Sequence, residues 1–161
     1  MRKSDRRLKS FFKNPRNPRN LRQLEIASMK LEYLNDTSEG GRFTNGDTDQ
    51  FVRLYDFDIN QAKEFREAIK QIILSDNKPL NLKSLSFIEL QNCNLTLRLA
   101  EQDKGITSID NINFYCDLTI SGFQNMASLL EPFCHNKTNG YQWLYDLNNE
   151  IDFLFSQNGK W

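Results

Sequence analysis

The sequence predicts an α+β fold: a mainly antiparallel sheet of about six or seven strands with two helices on one face, in the order ββα-βββ-αββ. Three observations carry that expectation. Strict two-residue alternation runs through 111–120, apolar residues recur at three- and four-residue spacing after Asp58 and after Ser121, and short polar segments rich in Asn, Gly and Pro separate these stretches. The chain has 161 residues, of which 39% are apolar, enough for a single core. No apolar run approaches the ~18 residues of a membrane span, so no membrane is expected as a partner.

Residues 24–34 are rich in strand formers, with Leu24 and Ile26 on one phase and Met29, Leu31 and Tyr33 on the other, a slip that suggests a bulge. Residues 51–57 read as the second strand, and Asn45-Gly46 between them is a hairpin signal. Asp58 with Gln61 three residues on makes a capping-box pattern. Ala62, Phe65, Ile69, Ile72 and Ile73 form the stripe of the helix that follows, which Asn77 and Pro79 end. Strands follow at 82–91 and 94–100, joined through Asn92-Cys93. In 111–120, Ile112, Phe114, Cys116, Leu118 and Ile120 share one face. The second helix opens at Ser121 with Gln124 at its third position, carries Phe123, Met126, Leu130 and Phe133 as its stripe, and is kinked or ended by Pro132. A last hairpin pairs 141–146 with 151–156.

Charge divides the chain in two. The arm, residues 1–22, carries Arg2, Lys3, Arg6, Arg7, Lys9, Lys13, Arg16, Arg19 and Arg22 against Asp5 alone, a net of +8. The domain, residues 23–161, holds 12 basic and 20 acidic side chains, a net of −8. Asn-Pro-Arg repeats within the arm force extended or turn geometry over 14–20. Three readings of the arm stay open: it docks on its own or a neighbouring acidic body, it binds phosphate and hence nucleic acid, or its start is assigned too early.

Chemistry-bearing motifs are sparse. His135 is the single histidine, so a Ser/His or Cys/His centre has one place to form, and adjacent Cys134 points about 100° away on a helix. Cys93, Cys116, Cys134 and His135 show no paired spacing of the zinc kind, and Asp36, Glu39, Asp47 and Asp49 follow no calcium-loop order. No GxGxxG or GxxxxGK[ST] occurs. The expectation is therefore no catalytic residue, no metal and no cofactor. An odd number of cysteines and a basic N-terminus without an apolar stretch behind it point to the cytoplasm.

The feature above background is aromatic. Tyr141, Trp143 and Tyr145 share one phase of a strand, Ile151, Phe153 and Phe155 one phase of the next, while Leu144 and Leu154 claim burial on the opposite phase. Two readings stay open: the rings are core, the commoner outcome for such a hairpin, or one face is a contact surface for another chain, with Tyr141, Trp143 and Tyr145 as the partner-binding residues. The leading expectation is a non-catalytic cytoplasmic protein acting by protein–protein contact, with a homodimer or a basic protein as partner. The alternative is a nucleic-acid accessory protein using the arm, and an enzyme comes third.

Overall fold

The computed structural model describes residues 28–35, 50–136, 140–147 and 150–161. The arm, the acidic tip with its Asn45-Gly46 signal, and Leu24 and Ile26 lie outside the described residues.

The fold is α+β with two principal helices among the described residues. β1 (Met29–Asn35) and β2 (Gln50–Tyr55) pair antiparallel, with Lys30 opposite Tyr55 and Asn35 opposite Gln50, as a hairpin requires. Asp56 then takes a positive φ of 56° and ends the strand two residues short of its expected limit. The capping box closes as expected: Asp58 accepts from the Gln61 backbone N–H, and the Gln61 side chain accepts from the Asp58 N–H. It opens α1 (Ile59–Ala68), which runs on as π-helical turns over Ile69–Ser75. Asn77 at φ 54° ends the run, with the Lys78 N–H bonded back to the Ile72 carbonyl.

Five strands lie between the helices, where the sequence pattern shows three. Of the expected strand at 82–91 only the short β4 (Ile88–Leu90) forms; Leu82–Ser84 is a 3-10 turn, and a two-residue strand, β3 (Leu80–Asn81), lies before the expected range. β5 (Asn94–Leu99) matches its expectation, and β6 (Gly105–Ser108) is an added strand. β7 (Asn113–Leu118) is shorter than the alternation implies. α2 (Ile120–Leu130) is capped by Thr119, not Ser121, and passes into a 3-10 turn at Glu131–Cys134 that contains Pro132. β8 (Tyr141–Tyr145) and β9 (Ile151–Ser156) close the described fold as an antiparallel pair.

A single antiparallel sheet is not what forms. The strands make two mixed sheets, one ordered β4-β1-β2-β9-β8 and the other β3-β5-β7-β6. Three of the pairs are parallel: β1 with β4, β2 with β9, and β5 with β7. Parallel partners are joined by long connections, so no local turn announces them.

The inner faces of both sheets and the stripes of both helices merge in one core. Tyr33 of β1 meets Phe114 of β7 with ring centroids 4.7 Å apart, linking the sheets directly. Phe155 stacks on Phe57 at 4.0 Å and meets Phe133 edge-on at 5.0 Å, tying β9 to both helical ends.

Candidate functional site

Alternation along the five-stranded sheet sends Val52, Leu54, Phe153 and Phe155 into the core and leaves a second set facing outward. That outer set contains Glu32 of β1, Phe51, Arg53 and Tyr55 of β2, Leu154 of β9, and Tyr141 and Trp143 of β8. β9 is buried at every position, so its outer side is covered as fully as its inner side. Part of that cover is the segment after β9. Trp161 meets Phe51 edge-on at 4.9 Å, and the Gly159 carbonyl accepts from Arg53 Nη1 at 2.7 Å. Gly159 sits at φ +76°, and a Cβ there would lie 3.2 Å from both Arg53 Nη1 and the Tyr55 ring.

Arg53 is the centre of this layer. Its guanidinium carbon lies 4.0 Å from the Tyr55 ring centroid and 5.8 Å from that of Trp161. Nη2 pairs with Glu32 Oε1 at 3.2 Å, while the Tyr55 hydroxyl donates to Glu32 Oε2 at 2.9 Å. Buried Arg53 Nε has no hydrogen-bond partner among the described residues. Burial, together with the bond to Glu32, pushes the Tyr55 phenol up to about 12. Charge and rings thus interlock on the outer face of β2.

The three aromatic residues expected to bind a partner do not share one face. The β8–β9 register shifts between Trp143 and Tyr145: Trp143 stands opposite Leu154, yet Tyr145 stands opposite Phe153. This bulge turns Tyr145 against the core, where burial raises its phenol pKa. Leu144 is buried in the core too. Tyr141, 48% exposed, and half-buried Trp143 remain outside, edge-to-face at 6.4 Å, with Trp143 on Phe51 at 5.9 Å. The parts missed at the sequence level are Glu32, Arg53 and Tyr55. Their available signal is the presence of apolar residues on both phases of 51–57, which marks a strand covered on both sides.

Other chemistry-bearing residues are dispersed. His135 Nε2 contacts Glu131 Oε1 at 2.7 Å, and Glu131 Oε2 pairs with Arg66 at 2.7 Å. The His135 contact, aided by Arg66, holds the Glu131 carboxyl below its usual range. Cys134 turns away, directing Sγ to the Leu130 carbonyl at 3.4 Å. All three thiols are unpaired and buried; desolvation pushes Cys93 up to about 12 and raises Cys116 and Cys134 as well. Among the described residues no group of three or more His, Cys, Asp or Glu is placed to hold a metal ion, and no helix is long and apolar enough to cross a membrane. A cleft of about 370 Å³ is lined by Phe57, Asp58, Ile59, Asn60 and Gln157, but the Asp58 carboxylate is already committed to the cap of α1.

No protein-family model matches the chain, and no curated protein matches it significantly.

Proposed function

We propose that this is a non-catalytic cytoplasmic protein that acts by protein–protein contact through the outer face of the five-stranded sheet, with Tyr141 and Trp143 at the contact. One observation supports this most. An aromatic and arginine layer built from β2, β8 and Trp161, with Leu154 of β9 between the two strands, ends at half-exposed Tyr141 on an edge strand, Tyr-Gln-Trp-Leu-Tyr, that contains no charge. Amphipathic rings of this kind supply contact area at low entropic cost. The three unpaired thiols accord with a reducing compartment.

The test is a photo-crosslinking amino acid placed at Tyr141 in the native host, with a control at exposed Thr107 on the other sheet. A discrete protein adduct from position 141 and none from 107 is the expected result. Equal labelling, or none at 141, rejects the reading.

A second reading uses the arm, whose +8 is concentrated in 22 residues. If six of its charges reach phosphates, log affinity for duplex DNA falls with log salt at a slope near about −5, and deletion of residues 2–20 abolishes binding. The −8 of the domain opposes the same phosphates, which ranks this reading below the first.

A further inference from the structure

Among the described residues, four strands form the edges of the two sheets: β4 and β8 in one, β3 and β6 in the other. Edges invite pairing with another strand unless they are short, charged, bulged or covered. β3 has two residues, and β4 has three with exposed Glu89 at its centre. β6 has four and follows exposed Lys104. β8 is the longest of the four and lacks both charge and proline. The bulge after Trp143 interrupts it and leaves a three-residue regular edge, Tyr141–Trp143, no longer than β4 but free of charge.

We infer that this edge pairs with the same edge of a second copy of the chain, β8 to β8 and antiparallel. The inference rests on the protein–protein reading above and names the partner. The edge strand is self-complementary about Gln142. A two-fold axis there sets Tyr141 of each copy opposite Trp143 of the other and Gln142 opposite Gln142, so two aromatic cross-strand pairs form and no charge meets a like charge. A basic partner segment would find no carboxylate on this strand, and it is the self-complementary placing of Tyr141 and Trp143 about Gln142 that points to a second copy. Acidic Asp146 and Glu150 lie beyond the bulge, outside the paired stretch. The Gln142 side chain, whose Nε2 donates to the Trp143 carbonyl at 3.0 Å, shields one acceptor and is displaced on pairing.

The experiment is sedimentation of the full chain over a concentration series, with hydrogen exchange followed at the β8 amides. The wild type is expected to dimerise, with amides of Tyr141–Trp143 exchanging more slowly as dimer accumulates. Gln142→Lys and Gln142→Glu each place like charges across the axis and should weaken association by about tenfold or more, whereas an equimolar mixture of the two should restore it. Should either variant fail to fold, wild-type exchange decides: protection at 141–143 that grows with concentration supports the pairing, and its absence overturns it. A wild type that stays monomeric, or a dimer indifferent to charge at 142, overturns it too. A monomer that still crosslinks a different protein from position 141 rejects self-pairing alone; loss of that crosslink as well rejects the protein–protein reading.

Discussion

Arg53 on the five-stranded sheet and Arg98 on the four-stranded sheet are built to one plan. Each guanidinium lies close over a tyrosine ring, Tyr55 at 4.0 Å and Tyr115 at 4.1 Å, and each pairs with a carboxylate, Glu32 or Asp117. The covering differs. Arg53 lies under Gly159 and Trp161 with its side chain 10% exposed, whereas the Arg98 side chain is 43% exposed. Arg98 makes the better pair, bidentate to Asp117 at 2.7 and 2.8 Å, yet water competes for it. The same chemical unit is thus an inner support on one sheet and a solvated surface pair on the other. What separates the two is the cover, and the cover is what makes one outer face a candidate contact layer.

The two outer faces should differ most at their rings. Phe51→Ala, on the covered face, should cost about 3–5 kcal/mol in urea unfolding, and Tyr115→Ala, 37% exposed on the open face, under about 1 kcal/mol. Similar losses at both sites would mean that the two faces are energetically alike. The arginines come next. Arg53→Ala leaves part-buried Glu32 without its cation and Tyr55 without its cover, and should cost about 2–4 kcal/mol, against about 1 kcal/mol or less for Arg98→Ala. An equal cost at the two positions, again from urea curves, would remove burial as the deciding variable.

How far these regions can be read from sequence depends on whether a contact is local. The Asp58–Gln61 box, the Phe65 and Ile69 stripe and the Phe114, Cys116, Leu118 alternation are set by neighbours within a few residues, and all are legible. Ile112 and Ile120 extend that alternation in sequence, but they are 58% and 53% exposed. Local chemistry claims both ends: Asp110 accepts from the Ile112 and Asn113 amides in a tight turn, and Thr119 becomes the α2 cap by accepting from Gly122. β6 carries no such signal, because Gly-Ile-Thr-Ser has one large apolar residue and no period. Parallel pairing of β2 with β9 joins residues far apart in the chain, Val52 with Phe153 for example, and the cover over Arg53 depends on it. For the candidate site, the aromatic strand is legible. The bulge that separates the phase of Trp143 from that of Tyr145 arises from register with β9 and is not.

Two glycines separate the sheets on a smaller scale. Gly122 lies where α2 leaves the four-stranded sheet, and a Cβ there would come within 2.7 Å of Asp103 Oδ1 and 2.9 Å of Leu118 Cβ. Asp103 is held in place by the Thr119 N–H at 2.7 Å and hydroxyl at 2.9 Å, so it cannot retreat without loosening the cap. Gly122→Ala should therefore cost about 1–3 kcal/mol through overpacking. Gly159→Ala meets gentler contacts but a positive φ, and about 1–2 kcal/mol is expected. Thermal melts of both variants check the pair. A neutral Gly159→Ala would show that the segment over Arg53 is not held in the conformation described.

The subtlest difference is in how the two faces respond to pH. Tyr55 on the covered face has its pKa raised from 10.0 to about 12, by burial first and by its bond to Glu32. Folding favours the neutral phenol, so the contribution is complete below the unfolded value and is lost as pH rises through 10 toward 12. Asp110, in the turn between β6 and β7 on the other sheet, is lowered from 3.8 to about 2, chiefly by the Asn113 and Ile112 backbone amides. Folding favours its charged form, so that contribution is present above 3.8 and is lost as pH falls through 2. Part of the alkaline limb of the stability profile thus reports on Tyr55 of the five-stranded sheet, beside the share of the buried thiols Cys93, Cys116 and Cys134, and part of the acid limb reports on Asp110 of the four-stranded one. Tyr55→Phe should make the alkaline limb shallower by the share of that phenol, the share of the thiols remaining, and leave the acid limb alone; Asp110→Asn should make the acid limb shallower and leave the alkaline limb alone. Melting temperatures across pH for the two variants decide the matter, and a limb that responds to the wrong substitution would show that the sheets are coupled through their shared core more tightly than their separate outer faces imply.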